Sequence, residues 1–121
     1  MTDRRLLGIW QSDARRTMRE VRCRRDIPEK HWKTFRKVFG KLRIRYTPTR
    51  GYTEYEGFAS KTRYKVVAKD AHSVAIVATD DIGMDYIYHI HFEGDRFWFC
   101  WGKIREYFKR VEEPCERRRA V

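Results

Sequence analysis

The sequence predicts a mainly β fold, in which about eight strands form a single antiparallel meander closed into a small barrel, with one or two helices between the first and second strands. Two observations lead to this prediction. From Lys41 onward apolar and polar residues alternate with a period of two, as at Leu42, Ile44 and Tyr46, which is typical of strands. The predicted strands are joined by only about two to five residues, and connections this short make neighbouring strands antiparallel.

A helical insert is predicted directly after the first strand. That strand ends at Ser12, and the insert covers residues from about 13 to 40. Ser12 or Asp13 can accept a hydrogen bond from the first free backbone N–H groups of a helix. Pro28 suits the first turn of a second helix, and Gly40 suits the residue that follows its last turn.

The remaining strands follow the insert without interruption. They are predicted at residues 42–46, 52–58, 62–69, 73–79, 84–92, 96–101 and 105–111. Closure of this meander onto the first strand removes its exposed edges, which favours a barrel. We assign residues 1–112 to the barrel domain and residues 113–121 to a basic C-terminal tail that is expected to be disordered.

Composition indicates a soluble, cytoplasmic protein. The chain has 121 residues, of which 41% are hydrophobic and 15% aromatic, enough for one core. No segment approaches the roughly 18 consecutive apolar residues of a membrane-spanning helix, so no membrane span is expected. Cys23, Cys100 and Cys115 form no C-x-x-C pair, and reduced thiols in the cytoplasm are the expectation.

Positive charge is concentrated in the first third of the chain. Residues 1–45 contain 15 Lys and Arg against 5 Asp and Glu, a net +10 of the total +11. The densest group comprises Arg15, Arg16, Arg19, Arg22, Arg24 and Arg25. Such a group can contact nucleic acid or another anionic partner, and it can equally be a solvated helix face.

A motif in the first strand resembles that of a known superfamily. Gly8-Ile9-Trp10 is similar to the G-x-W signature of the calycin group, which includes the lipocalins and the intracellular fatty-acid-binding proteins. The resemblance implies a lipocalin-like barrel whose closed end holds Trp10 beneath a basic residue of the last strand. Arg105 and Arg110 are the two candidates for that residue.

The last strand resembles the same group. Arg105-Glu106-Tyr107-Phe108-Lys109 is similar to the R-x-Y-x-K ending of the fatty-acid-binding branch. The resemblance implies that Arg105 and Tyr107 hold a ligand carboxylate, and a guanidinium and a phenol suit that role. Together with Trp10 and Tyr88, they form the expected set of ligand contacts.

Other constellations point away from catalysis. His89 and His91 share one strand face and could ligate a metal or haem iron, but the same pattern describes the polar face of a strand, and we predict no metal site.

The sequence has no G-x-S-x-G, Walker or dinucleotide-binding motif and no identifiable acid and base pair. No enzyme activity and no cofactor are therefore expected.

Two functions remain open from the sequence. The first is a lipocalin-like domain that binds a small apolar or acidic ligand in the barrel. The alternative is an interaction module with a filled barrel, whose basic helical residues from Arg15 to Arg25 contact nucleic acid or another anionic partner. The two differ in the barrel interior, since the first requires a cavity of a few hundred cubic ångströms.

Overall fold

The computed structural model describes residues 2–111, so the predicted tail at residues 113–121 lies outside it. In chain order its elements are β1 (Gly8–Ser12), α1 (Ala14–Cys23), a 3-10 turn (Glu29–His31), α2 (Trp32–Val38), β2 (Arg43–Tyr46), β3 (Arg50–Tyr55), β4 (Phe58–Lys69), β5 (Ser73–Thr79), β6 (Asp85–Glu93), β7 (Arg96–Trp101) and β8 (Ile104–Val111). Each strand pairs antiparallel with the next, and β1 also pairs with β8. The predicted closed meander is confirmed.

The helical insert begins and ends as its sequence predicts. The Asp13 side chain accepts a hydrogen bond from the backbone N–H of Arg16 at 3.1 Å, which caps α1. After α2, Gly40 adopts a φ of +97°, where a side chain is disfavoured. Helix α1 lies against β8, where the backbone N–H of Tyr107 donates to Thr17 Oγ1 at 2.9 Å. Neither helix within residues 2–111 has the length and apolar content needed to cross a membrane.

One hairpin differs from the prediction. The strand expected at residues 52–58 ends at Tyr55, and the chain reverses at Glu56 and Gly57 before β4 begins at Phe58. Both turn residues have positive φ, 48° and 86°, which matches the twist of a two-residue hairpin. A Glu-Gly pair is a weak turn signal beside Asn-Gly or Asp-Gly, which explains the error in the sequence-based boundary.

Alternate residues of each strand point into the barrel. On β8 the inward positions are Glu106, Phe108 and Arg110, opposite Ser12 and Trp10 of β1. Aromatic rings fill one half of the interior. Trp10 lies 4.5 Å from Phe97 between ring centroids, and Phe97 lies 5.0 Å from Phe108.

Candidate functional site

The half of the barrel that these rings do not fill contains a cavity. Its volume is about 520 Å³, and its wall comes from six consecutive strands, β2 to β7. The lining includes Asp80, Asp81 and Ile82 from the β5–β6 turn, so the cavity opens at that end of the barrel. Phe99 lies between the two halves, because its ring stacks on Phe108 at 5.4 Å and also lines the cavity.

The wall of the cavity is mostly apolar. Ile44, Ala78 and Phe99 line it and are each at most 5% exposed. At the open end, by contrast, large apolar side chains are in contact with solvent: Ile82 is 84% exposed and Trp101 47%. The entrance therefore offers apolar surface to a molecule that enters from water.

Two tyrosines supply polar groups to this wall. Tyr46 and Tyr88 both line the cavity, and burial raises the pKa of each phenol above its ordinary value. Their hydroxyl groups are therefore uncharged at neutral pH and can both donate and accept hydrogen bonds. A third tyrosine at the entrance, Tyr86, donates a hydrogen bond from its hydroxyl group to Asp80 Oδ2 at 3.0 Å.

A carboxyl group is buried directly behind the cavity wall. Glu106 is 3% exposed and accepts hydrogen bonds from Ser12 Oγ at 2.6 Å and from the indole N–H of Trp101. Burial raises the pKa of Glu106, while these two hydrogen bonds act in the opposite direction. Trp101 lines the cavity, so one indole ring links the buried carboxyl group to the space where a ligand would lie.

The opposite end of the barrel is closed around Trp10. The indole N–H donates to the backbone carbonyl of Leu6 at 2.8 Å, and Leu6 is fully buried. The guanidinium carbon of Arg110 lies 4.2 Å from the centre of the Trp10 ring. Of the two basic residues that the resemblance offered, Arg110 is thus the one that covers the tryptophan.

The four predicted ligand contacts are not brought together. Tyr88 lines the cavity as expected, and Trp10 lies beneath the packed half of the barrel. Arg105 and Tyr107 lie on the outer surface of β8, under helix α1, and this corrects their expected place in the interior. The carboxylate that they contact is the chain's own Glu20, which accepts from the Tyr107 hydroxyl at 3.3 Å and lies 3.6 Å from Arg105.

Strand alternation accounts for that difference. Residues 105 and 110 differ by an odd number of positions, so they point to opposite faces of β8. Because Arg110 extends from the inward face of β8 and covers Trp10 at the closed end, Arg105 and Tyr107 must face outward. The same alternation places Glu106 inside the barrel. Sequence reasoning did not identify Glu106 or the Tyr46 hydroxyl as parts of the site, and it noted Glu106 only as the middle residue of the R-x-Y pattern.

The six predicted anion-contacting arginines fall into two groups. Arg16 lies over the Tyr107 ring at 4.0 Å, and Arg24 forms a salt bridge with Asp26 at 2.8 Å. The exposed members are Arg15, Arg19, Arg22 and Arg25.

The two histidines of β6 point outward. His91 stacks on Trp98 with ring centroids 4.0 Å apart, and His89 Nε2 lies 3.0 Å from Ser73 Oγ. Burial, the neighbouring His89 and then Arg105 lower the pKa of His91. Within residues 2–111, no group of three or more His, Cys, Asp or Glu side chains is arranged to hold a metal ion.

Comparison with protein-family models, with curated proteins and with solved structures gives no match for this chain. Its class is therefore defined by geometry: an eight-stranded, closed antiparallel barrel with two helices after the first strand, consistent with a calycin-like fold.

Proposed function

We propose that this barrel binds one small, largely apolar and uncharged molecule in its open half. The observation that carries the proposal is the cavity of about 520 Å³ between β2 and β7. Small-molecule sites typically enclose about 300–1,000 Å³ and combine apolar walls with a few fixed polar groups. Ile44, Ala78 and Phe99 supply such walls, and the Tyr46 and Tyr88 hydroxyls supply such groups.

Kinship with the calycin group is part of this proposal. Arg110 over Trp10, a glycine at position 8 and a helical pair between the first two strands all support it. We propose that the cavity binds a molecule, and the proposal includes no catalytic step.

The uncharged character of the ligand follows from the charges around the cavity. An apolar or acidic ligand was expected, the acidic one because of Arg105 and Tyr107, but both of these side chains lie outside the barrel. Lys61 is the one cationic side chain among the lining residues of this cavity, and it is exposed, beside Asp80 and Asp81. With Asp80 and Asp81 at the entrance, a ligand carboxylate would meet like charge and no compensating guanidinium among the lining residues.

The proposal is tested with a neutral dye and two competitors of equal chain length. Nile red, whose emission increases in apolar surroundings, reports occupancy, and 1-decanol and decanoate compete for the site at pH 8. We expect decanol to displace the dye at concentrations at least tenfold lower than decanoate. Equal or better displacement by decanoate would contradict an uncharged ligand.

Two alanines of β5 provide a matched pair of variants. Ala78 points into the cavity, whereas Ala75 points outward beside His89. Ala78→Phe should fill part of the cavity and weaken dye binding at least tenfold, whereas Ala75→Phe should leave it unchanged. Arg105→Ala should also leave it unchanged. Equal dye binding by the Ala78 and Ala75 variants, with both folded by circular dichroism, would place the dye outside the barrel and refute the proposal.

A further inference from the structure

We propose that the outer surfaces of α1 and α2 bind the phosphodiester backbone of nucleic acid without regard to base sequence. This surface, called the basic helical face below, consists of Arg15, Arg19 and Arg22 on α1 and Lys33, Arg36 and Lys37 on α2. All six side chains are exposed. The inference is independent of any ligand in the barrel.

The charge on this face is not balanced by the protein itself. Between Ala14 and Val38 the chain has ten Lys and Arg against three Asp and Glu. Among residues 2–111, Arg16 and Arg24 are the members of this ten that form salt bridges. The other eight have no salt-bridge partner in the part of the chain that the structure describes, although Asp26 and Glu20 lie on the same insert.

The stripe of arginines on α1 places like charges next to each other. Arg15, Arg19 and Arg22 are separated by four and three positions, so they lie on one stripe along the helix surface. Like charges at these spacings repel each other, and Arg15 also lies close to the N-terminal end of the helix dipole, whereas Arg22 in the last turn interacts favourably with the dipole. The repulsion along the stripe is not relieved by a salt bridge of Arg15, Arg19 or Arg22 within the described residues, and an anionic partner would relieve it.

Apolar packing holds both helices, and therefore their cations, in place. Met18 and Val21 of α1 form a small core with Ile27 and Phe39 of the insert, and Trp32, Phe35 and Ile104 pack around it. The stripe from Arg15 to Arg22 extends over about 10 Å at 1.5 Å per residue. Duplex nucleic acid carries about one charge per 1.7 Å of axis, so a preformed layer of this length can meet several phosphates at once.

A nucleic acid fits this face better than a lipid surface does. A helix that binds in a membrane interface inserts its apolar side between the lipids. The apolar side of α1 is already buried, with Met18 3% and Val21 1% exposed. The side chains that remain exposed on the two helices are mostly cationic, the others being Cys23, Thr34 and Val38, and cationic groups suffice for phosphate contacts. Contacts between cationic side chains and phosphate carry no sequence information, so similar affinity for unrelated sequences is the expectation that the experiment below tests.

The experiment measures binding to two fluorescein-labelled 20-base-pair DNA duplexes of unrelated sequence by fluorescence anisotropy. We expect similar affinity for both duplexes and a steep loss of affinity between about 50 and 200 mM salt. The variant Arg15→Gln/Arg19→Gln/Arg22→Gln should reduce the slope of log affinity against log salt by up to about 2.7, or 0.9 for each lost phosphate contact.

The control removes the same charge elsewhere. Arg63→Gln/Lys65→Gln/Lys69→Gln changes three exposed cations of β4 and should leave affinity and slope nearly unchanged. If both triple variants lose affinity equally, net charge and not the helical face explains the binding, and the proposal fails. It also fails if no complex forms at 50 mM salt, or if phosphatidylserine vesicles bind under these conditions and DNA does not. Should the α1 variant unfold, Lys33→Gln/Arg36→Gln/Lys37→Gln on α2 makes the same test.

Discussion

Arg110 crosses the closed end of the barrel directly over Trp10, with its guanidinium carbon 4.2 Å from the ring centre. The same guanidinium donates to the backbone carbonyls of Leu7 at 2.6 Å and Arg5 at 2.9 Å. One side chain of the last strand thereby fixes both the first strand and the segment that precedes it.

Arg110→Leu should therefore destabilise the fold more than an ordinary surface substitution. The variant keeps part of the apolar stem but loses the cation–π contact and two hydrogen bonds. Since the side chain is exposed, we expect a loss of about 1–2 kcal/mol in the free energy of unfolding. Urea denaturation measures it, with Arg63→Leu as the control. A loss no larger than that of the control would mean that Arg110 does not brace the closed end.

Gly8→Ala should be destabilising for two separable reasons. Gly8 has a φ of +122°, and a Cβ there would lie 2.6 Å from Arg110 Nη1. Backbone strain of this kind costs about 1–3 kcal/mol. In a double-mutant cycle with Arg110→Leu, the steric part should disappear and the backbone part should remain. Strict additivity of the two substitutions would show that the glycine is needed for its backbone conformation alone.

The same chemical change at two tryptophans should have different effects on stability. The indole N–H of Trp32 is buried without a hydrogen-bond partner in the described structure, whereas that of Trp101 donates to Glu106. Trp32→Phe removes an unsatisfied donor and should leave the protein equally or more stable, despite the loss of packing volume. Trp101→Phe leaves the Glu106 carboxyl with one partner fewer and should cost about 1–3 kcal/mol. Urea denaturation of both variants tests the contrast, and a larger loss at Trp32 would contradict it.

Glu106→Gln should change how stability depends on pH. Burial raises the pKa of Glu106 in the folded protein above its ordinary value of 4.5. The folded state then retains this proton more strongly than the unfolded state, so the contribution of Glu106 to stability falls as pH rises above 4.5. The neutral amide escapes this loss. The stability of the variant relative to the natural chain should therefore increase from pH 4 to pH 8.

The exposed Glu54 of β3 is the control for that experiment. Glu54→Gln should show no comparable trend across the same urea denaturation series. If the two variants follow the same pH profile, burial does not raise the pKa of Glu106. The hydrogen bond from Trp101 would then not connect a perturbed carboxyl group to the cavity.

The fold could be predicted from the sequence because its signals are local. The strands were recognised by alternation, as at Leu42, Ile44 and Tyr46, and their order followed from the short connections. Pairing of the first strand with the last removes the exposed edges of the sheet. The cap at Asp13 and the break at Gly40 are equally local. The hairpin at Glu56 and Gly57 was missed because nothing in that pair distinguishes it from the rest of an alternating strand.

The site was predicted less well, because it depends on which face of each strand points inward. β8 has Tyr107 and Phe108 both almost fully buried, one beneath α1 and the other in the barrel, so apolar pattern alone does not assign its faces. The R-x-Y pattern at Arg105 and Tyr107 does meet a carboxylate, but that of Glu20 on the covering helix. The contact of Arg110 with Trp10 and the hydrogen bond between Ser12 and Glu106 show which face of β8 points inward.

The pairing of β1 with β8 also has a consequence for biosynthesis. Ile9 pairs with Val111 and Trp10 with Arg110, so the residues that close the barrel are among the first and last of the described chain to leave the ribosome. Until then the β1 edge has no C-terminal partner and Trp10 lacks its cover. Contacts over such sequence separation make folding slow and expose intermediates to aggregation. A nascent chain stalled before residue 110 should therefore depend on chaperones, and release of the last strand should end that dependence.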